Sequence, residues 1–304
     1  MTATSEPQSP EPQGLEMPVP DFRDATAVEP VAGAPGRYRA RIGPDWSAPL
    51  YPSGGMTTAV ALRAMAHAHG HPTQHVRTAS TMFVSIVESG PLDVQVEVLR
   101  DGRRMSQLRA TVRSEGSDGP GHVVTAAFGE ARDGFAFDWN EPPEAGPPEA
   151  HPGRAEPPPD ATVFAPPFFD RVEVRRVKMF HAFENDWEGG RAEAIRWMRF
   201  RESPRLPDGR LDPLCFPAMA DTMPPAIAQY LGPGHPFFHA PSVDLTVHWL
   251  GDTNHDWLLS RSTCQWAADG YASARIDLWD LDRKPVAAAT QVMLVRFPDP
   301  EEFR

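Results

Sequence analysis

Cysteine is nearly absent from this chain: two residues in 304, Cys215 and Cys264, stand far apart. Without paired spacing they offer neither a disulfide framework nor a thiolate metal centre, and both read as buried, reduced thiols of a cytoplasmic protein. Basic charge is scarce as well. The balance of 29 Lys and Arg against 41 Asp and Glu is −12, with no basic block, whereas a nucleic-acid surface needs clustered cations to displace counterions. Nucleic acid is therefore not an expected partner. Long apolar runs are missing too, none approaching the ~18 residues of a membrane helix, so no membrane span is expected.

Proline, by contrast, is abundant and unevenly placed. Seven prolines and six acids against one Arg mark residues 1–36, the reverse of the basic and then apolar layout of a signal peptide. That composition predicts a disordered tail, and removal of residues 1–34 is expected to leave stability unchanged. Ten more prolines fall between Pro142 and Pro167 among Glu, Ala and Gly, a run that neither a helix nor a central strand tolerates. This predicts a semi-extended linker over residues 141–169, dividing the chain into 37–140 and 170–304.

The two parts read as one unit made twice. In the first, the Pro-free, Ala-rich stretch 54–69 carries apolar residues at helical spacing and ends at Gly70. After it, Leu92, Val94, Val96 and Val98 alternate with polar residues, Asp101-Gly102 supplies a turn, Leu108, Ala110 and Val112 alternate on the way back, and 123–128 adds another strand. The second part repeats the order, with strands at 172–177 and 194–200, a helix near 218–231, and strands at 243–250, 257–265, 271–279 and 286–296. A central helix wrapped by a curved antiparallel sheet, made twice and fused in one chain, is α+β. Gly70 and Gly232 are 162 residues apart, as are Val124 and Val286, while a longer loop at 251–256 moves Asp269-Gly270 to 168 after Asp101-Gly102. On the 162-residue ruler Asp221, Ser242 and Gln291 fall opposite Ala59, Ser80 and Gly129, so a polar trio in the second copy has no counterpart in the first.

That arrangement, with Tyr51-Pro-Ser-Gly-Gly-Met56 opening the first helix, resembles the type II acyl-CoA thioesterases, a double hotdog family, over about residues 37–298. The resemblance implies a catalytic trio of an Asp on the second helix, a Thr or Ser opening the next strand and a Gln on the last strand, here Asp221 in Ala218-Met-Ala-Asp-Thr222, Ser242 in Pro241-Ser-Val-Asp244 and Gln291 in Ala287-Ala-Ala-Thr-Gln291. Two departures stand out. Ser242 replaces the commoner Thr, which is chemically mild because either hydroxyl can orient a carboxylate or a water. Pro224-Pro225 follow Asp221 closely and would bend or end its helix.

The implied activity is hydrolysis of an acyl-CoA or acyl-carrier thioester by an activated water, with no metal and no cofactor. Asp221, in an uncharged stretch, suits a base tuned by a partly dry site, and Ser242 and Gln291 could hold the water against it. Gly54 and Gly55 at a helix start offer backbone amides to the thioester oxygen, as substrate-binding groups. The alternatives are a hotdog protein that binds acyl-CoA or acyl carrier without turnover, and a hotdog hydratase or dehydratase, which would need a His shortly after Asp221 where none stands. His67, His69, His71 and His75 lack an evident Cys or carboxylate co-ligand and are not expected to bind metal. Asp244 and His248 read as supporting or surface residues; Phe168, Phe169, Phe237 and Phe238 read as core, or as the lining of an acyl channel. A homo-oligomer is compatible with all of this.

Overall fold

The computed structural model of the chain describes residues 21–48, 50–158 and 166–297. The predicted first helix forms as α2 (Gly54–His69), preceded by a four-residue α1 (Phe22–Ala25), and the predicted second helix forms in two pieces, α3 (Phe216–Ala220) and α4 (Pro225–Leu231). Nearly every residue of α2 from Gly55 to Met65 is buried, as in a helix enclosed on all sides rather than lying on a surface. Around it run β1 (Val28–Pro30), β2 (Arg37–Ile42), β3 (His75–Phe83), β4 (Gly90–Arg100), β5 (Met105–Ser114) and β6 (His122–Gly129). Leu92, Val94 and Val96 of β4 and Leu108, Ala110 and Val112 of β5 face the helix while the residues between them are exposed or half-buried, the pattern that period-two alternation dictates. The second half has β7 (Val172–Lys178), β8 (Glu193–Phe200), β9 (Asp244–Trp249), β10 (Leu258–Ala268), β11 (Tyr271–Trp279) and β12 (Pro285–Leu294).

All twelve strands join one antiparallel sheet in the order β1-β2-β4-β5-β6-β3-β9-β12-β11-β10-β8-β7. Read from either edge the order is the same, so the halves are equivalent six-stranded units. They meet where β3 pairs with β9, Thr78 opposite His248, Ser80 opposite Thr246 and Met82 opposite Asp244. Among the described residues no helix is long and apolar enough to cross a membrane.

Two expectations need correction. The segment 21–36, assigned to a disordered tail, is built into the fold: β1 is the sixth strand of the first half and pairs with β2, and Phe22 is 0% exposed. Its ring packs on Trp46 of the first half and Phe200 of the second, at centroid distances of 6.3 and 5.3 Å. Polar composition hid this because a single aromatic carries the docking. Residues 1–20 lie outside the described structure. The linker, in turn, is not a free spacer. Its described part crosses the outer face of the second half, where Ile195, Trp197, Trp257, Leu259 and Trp279 form a separate apolar cluster with Ala145 packed on it, and Gly146 O accepts from Trp197 Nε1 at 3.0 Å. β8 is buried on both faces for that reason. Cys215 is buried, but Cys264 is only half-buried.

Replacing Phe22 with Ala should cost about 3–5 kcal/mol, the usual loss for a buried aromatic, and deletion of residues 1–34 should lower Tm comparably. Unchanged thermal melts for both variants would mean that the segment does not hold the halves together.

Candidate active site

Prolines set the geometry at Asp221. In an unbroken helix the ring of Pro225 would collide with the Asp221 carbonyl and that of Pro224 with the Ala220 carbonyl. The helix therefore ends at Asp221, whose φ of −73° and ψ of 38° close α3, and restarts at Pro225, where a missing N–H costs nothing. The break turns the Asp221 side chain toward the N-terminus of α2. Close packing there requires Gly55: a Cβ at that position would collide with the Pro217 carbonyl and the Ala218 Cα.

Four donors converge on the carboxylate. Oδ2 accepts from Ser53 Oγ and from the Gly55 amide, each at 3.0 Å; Oδ1 accepts from Gln291 Nε2 at 2.7 Å and from Ser242 Oγ at 3.1 Å. Gln291 Nε2 also donates to Ser242 Oγ. The first pair belongs to one half of the molecule and the second to the other. Ser53 is the N-cap residue of α2, yet its side chain makes no capping bond; the Asp221 carboxylate does that work instead, held by a first-turn amide at the positive end of a 16-residue helix. Gln291 is 2% exposed, and its Oε1 is buried without a partner. Burial is the larger influence on Asp221 and pushes its carboxyl up from the ordinary carboxylate range, against the Gly55, Ser53, Gln291 and Ser242 hydrogen bonds, which pull it down.

The structure thus brings Asp221, Ser242 and Gln291 together with Gly54 and Gly55. It divides the two amides. Gly55 is engaged by the carboxylate, while the Gly54 amide has no partner among the described residues, and the Phe83 ring lies where a Gly54 side chain would be. Ser53 was not anticipated; a hydroxyl before two glycines at a helix start was its only signal.

The repeat ruler holds along the helices and slips beyond them. From the helix end to the next strand, Gly70 to His75 is short but Gly232 to Asp244 is long, so Ser242 sits in extra chain that bridges to Met293. Ser80 is instead a mid-strand, exposed residue bonded to Thr246 Oγ1 at 2.9 Å. Along the helices the ruler adds something: 162 residues after Ser53 and Gly55 stand Cys215 and Pro217. The mirrored place therefore has Ala59 for Asp221, a thiol for the hydroxyl and, in Pro217, no N–H where Gly55 supplies one, while the Phe216 amide opposite Gly54 is spent on the Pro213 carbonyl.

Of the histidine cluster only His69 and His71 stay together, their rings stacked at 5.7 Å. His71 Nε2 pairs with Asp101 Oδ1 at 2.6 Å, a carboxylate that sequence spacing did not bring near, and His67 Nδ1 meets the Tyr38 hydroxyl. Asp244 and His248 do not face each other: Asp244 Oδ1 accepts from the Val292 amide at 2.7 Å and His248 Nδ1 lies 3.0 Å from Thr78 Oγ1. Among the described residues His255, Asp280 and Asp282 come close enough to share an ion, but both Asp280 oxygens already accept, from Thr253 Oγ1 and the Lys284 amide. Phe168 is core, and Phe169 and Phe238 pack against it.

A family model for the acyl-CoA thioesterase N-terminal domain matches residues 42–129, and one for the acyl-CoA thioesterase C-terminal domain matches residues 143–295. The chain belongs to the acyl-CoA thioesterase family. Among solved structures, a hot dog fold protein of unknown function from Alicyclobacillus acidocaldarius superposes with a TM-score of 0.75 at 23% identity, covering 91% of this chain and 98% of that one. An acyl-CoA thioesterase II from Mycobacterium marinum gives a TM-score of 0.68 at 20% identity, over 91% and 99%. At these identities the likeness speaks for the fold, a double hotdog. No curated protein sequence matches the chain.

The raised Asp221 has a sign that can be measured. A carboxyl serves as base only when ionised, so any activity that uses Asp221 as its base should fall as pH drops through the raised value, above the ~3.9 of a free Asp. The same shift favours the protonated form in the fold, so stability should decline as pH rises from the ordinary range through the raised value. A kcat/KM profile flat down to pH 4 would remove Asp221 from the rate equation.

Proposed function

We propose that the chain is an acyl-CoA thioesterase that hydrolyses its thioester with a water activated by Asp221, Ser242 and Gln291. The observation that carries this reading is the convergence of Ser53, Gly55, Ser242 and Gln291 on one carboxylate, with an unpartnered acceptor, Gln291 Oε1, buried beside it. A water between Asp221 and Gln291 Oε1 would give one hydrogen to each acceptor and keep a lone pair for the carbonyl carbon. Asp221 takes the proton as the C–O bond forms. The carbonyl oxygen becomes negative and is met by the Gly54 amide at the positive end of α2. Collapse of the tetrahedral intermediate breaks the C–S bond, and Asp221 returns the proton to the departing thiolate, giving free acid and CoA thiol. Burial supports the role by keeping Asp221 basic enough to accept a proton.

Asp221→Asn should lower kcat by about 10² or more with the fold retained, since general-base catalysis is typically worth that much. Gln291→Ala should lose about tenfold or more at the same step. Ser242→Thr should be nearly silent and Ser242→Ala should not; equal losses would assign the residue to packing. The direct test is turnover across a panel of acyl-CoA chain lengths, and binding without hydrolysis throughout would make the chain a binder that has lost turnover.

Stoichiometry tests the asymmetry. With Ala59 and Pro217 in the mirrored place, a tight non-hydrolysable acyl-CoA analogue should titrate to one equivalent per chain. Two equivalents, together with residual turnover in Asp221→Asn, would assign the chemistry to another carboxylate.

A further inference from the structure

Residues 131–140 run from the end of β6 to the linker, and every one of them is exposed. Their sequence is not that of a solvated loop. Phe135, Phe137 and Trp139 alternate with Ala136 and Asp138, and the three aromatic residues are 91, 70 and 86% exposed. Phe135 stacks on Phe137 at 5.9 Å between ring centroids, and Phe137 meets Trp139 at 5.3 Å, so the rings form one ladder on one side of the chain. The spacing is close to the roughly 7 Å between alternate residues of an extended segment. Single exposed apolar side chains are ordinary, but three in one row are not.

The backbone is as bare as the rings. Among the described residues no amide or carbonyl of 131–139 makes a backbone hydrogen bond, and no proline interrupts 131–141. Both ends are nevertheless tied down: the Glu130 amide donates to the Arg104 carbonyl at 3.1 Å, and Arg283 Nη2 donates to the Pro142 carbonyl at 3.0 Å. This is an extended segment without a neighbour, held at both ends before any pairing, which lowers the ordering cost of a contact.

Charge and residue order decide the neighbour. The rings carry no charge of either sign, so they select neither a basic nor an acidic partner. A net charge of −12, with Arg132 the one cation among residues 129–141, works against an anionic bilayer. A second copy of the segment fits. Laid antiparallel about a two-fold axis at Phe137, Phe135 stands opposite Trp139 of the partner subunit, Ala136 opposite Asp138 of the partner subunit, and Phe137 opposite Phe137 of the partner subunit. Aromatic then meets aromatic throughout 135–139, and no like charges face each other there. At roughly 150–250 Å² per aromatic, both copies together offer at most about 900–1,500 Å², around the ~1,000 Å² that a specific interface should clear. One face of a two-stranded ribbon stays partly wet, so the dimer is a weak, concentration-dependent one. A two-fold also closes, leaving no ladder free to recruit a third chain.

We propose that residues 131–140 are a dimerisation segment, through which two copies of the chain pair antiparallel about Phe137 with their aromatic ladders side by side. β6 ends at Gly129, opposite His75 and beyond the C-terminal end of α2, about 20 Å of helix away from Gly55. The proposal is therefore independent of the thioesterase reading.

Sedimentation equilibrium on the full chain, from about 2 to 200 μM, should show the mass rising from one chain toward two. Phe137→Ser and Trp139→Ser should each raise the dissociation constant about tenfold or more, with the Tm of the dilute chain unchanged because neither side chain belongs to the core. Register is read by oxidation in the Cys264→Ser chain, with all three rings in place. An equimolar mixture of Ala136→Cys and Asp138→Cys should cross-link several-fold faster than either variant alone. Opposed positions lie within the ~4.4–6.8 Å between Cα atoms that a disulfide spans, whereas like positions are at least a ~7–8 Å diagonal apart. A chain still monomeric at about 200 μM overturns the proposal, as does a dimer that both serine variants leave intact or a mixture that cross-links no faster than its components. A monomer that co-sediments with phosphatidylcholine vesicles through the same residues also overturns it, and makes the ladder a lipid contact instead.

Discussion

The approach of α2 to α3 at Gly55 is the constraint on which the site depends. The Gly55 Cα lies against the Pro217 carbonyl and Ala218 so closely that a methyl group would not fit. At that spacing the first-turn amides of one half lie within hydrogen-bond reach of the helix break in the other. A Cβ at Gly55 would push the helices apart, and the Gly55 and Ser53 donors would leave Asp221 with Asp221, Ser242 and Gln291 themselves unchanged. The β3–β9 pairing sets the same relation on the sheet side, since Ser242 lies just ahead of β9.

Burial and hydrogen bonding pull Asp221 in opposite directions, and the balance gives the site its character. Four donors alone would lower the proton affinity of a carboxylate, while burial alone would raise it without fixing the group in place. With both, the group is raised in proton affinity yet fixed in position. The two halves have taken different roles in this balance. The first half contributes a helix terminus and a hydroxyl; the second contributes the acid, the amide side chain and the second hydroxyl.

Much of this was legible from spacing. The helix at 54–69 matches α2 residue for residue, and the strands at 92–98 and 271–279 fall within or on β4 and β11, because Pro-free Ala-rich sequence and period-two alternation are local signals. The trio was legible through the repeat and the family resemblance, and Pro224-Pro225 announced the break. What escaped is non-local. Ser53 acquires its role only from a residue in the other half, and Phe22 looks like one aromatic in a polar tail until Trp46 and Phe200 surround it. The ruler misplaced Ser80 because a fixed interval cannot see that one connection is longer than its equivalent.

The placement of Phe22 has a consequence for how the chain reaches this structure. Its ring needs Phe200, and Arg23 donates to the Arg205 carbonyl, 182 residues further along. During synthesis this segment leaves the ribosome long before the surface that receives it exists. The first half can collapse around α2 as it emerges, with β1 on β2 and Phe22 against Trp46, but the side of Phe22 that meets Phe200 stays open until β8 is in place. The contact with Phe200 closes a long loop, whose entropic cost grows with its length. The contact of Phe22 with Phe200 is thus a report that the two halves have come together.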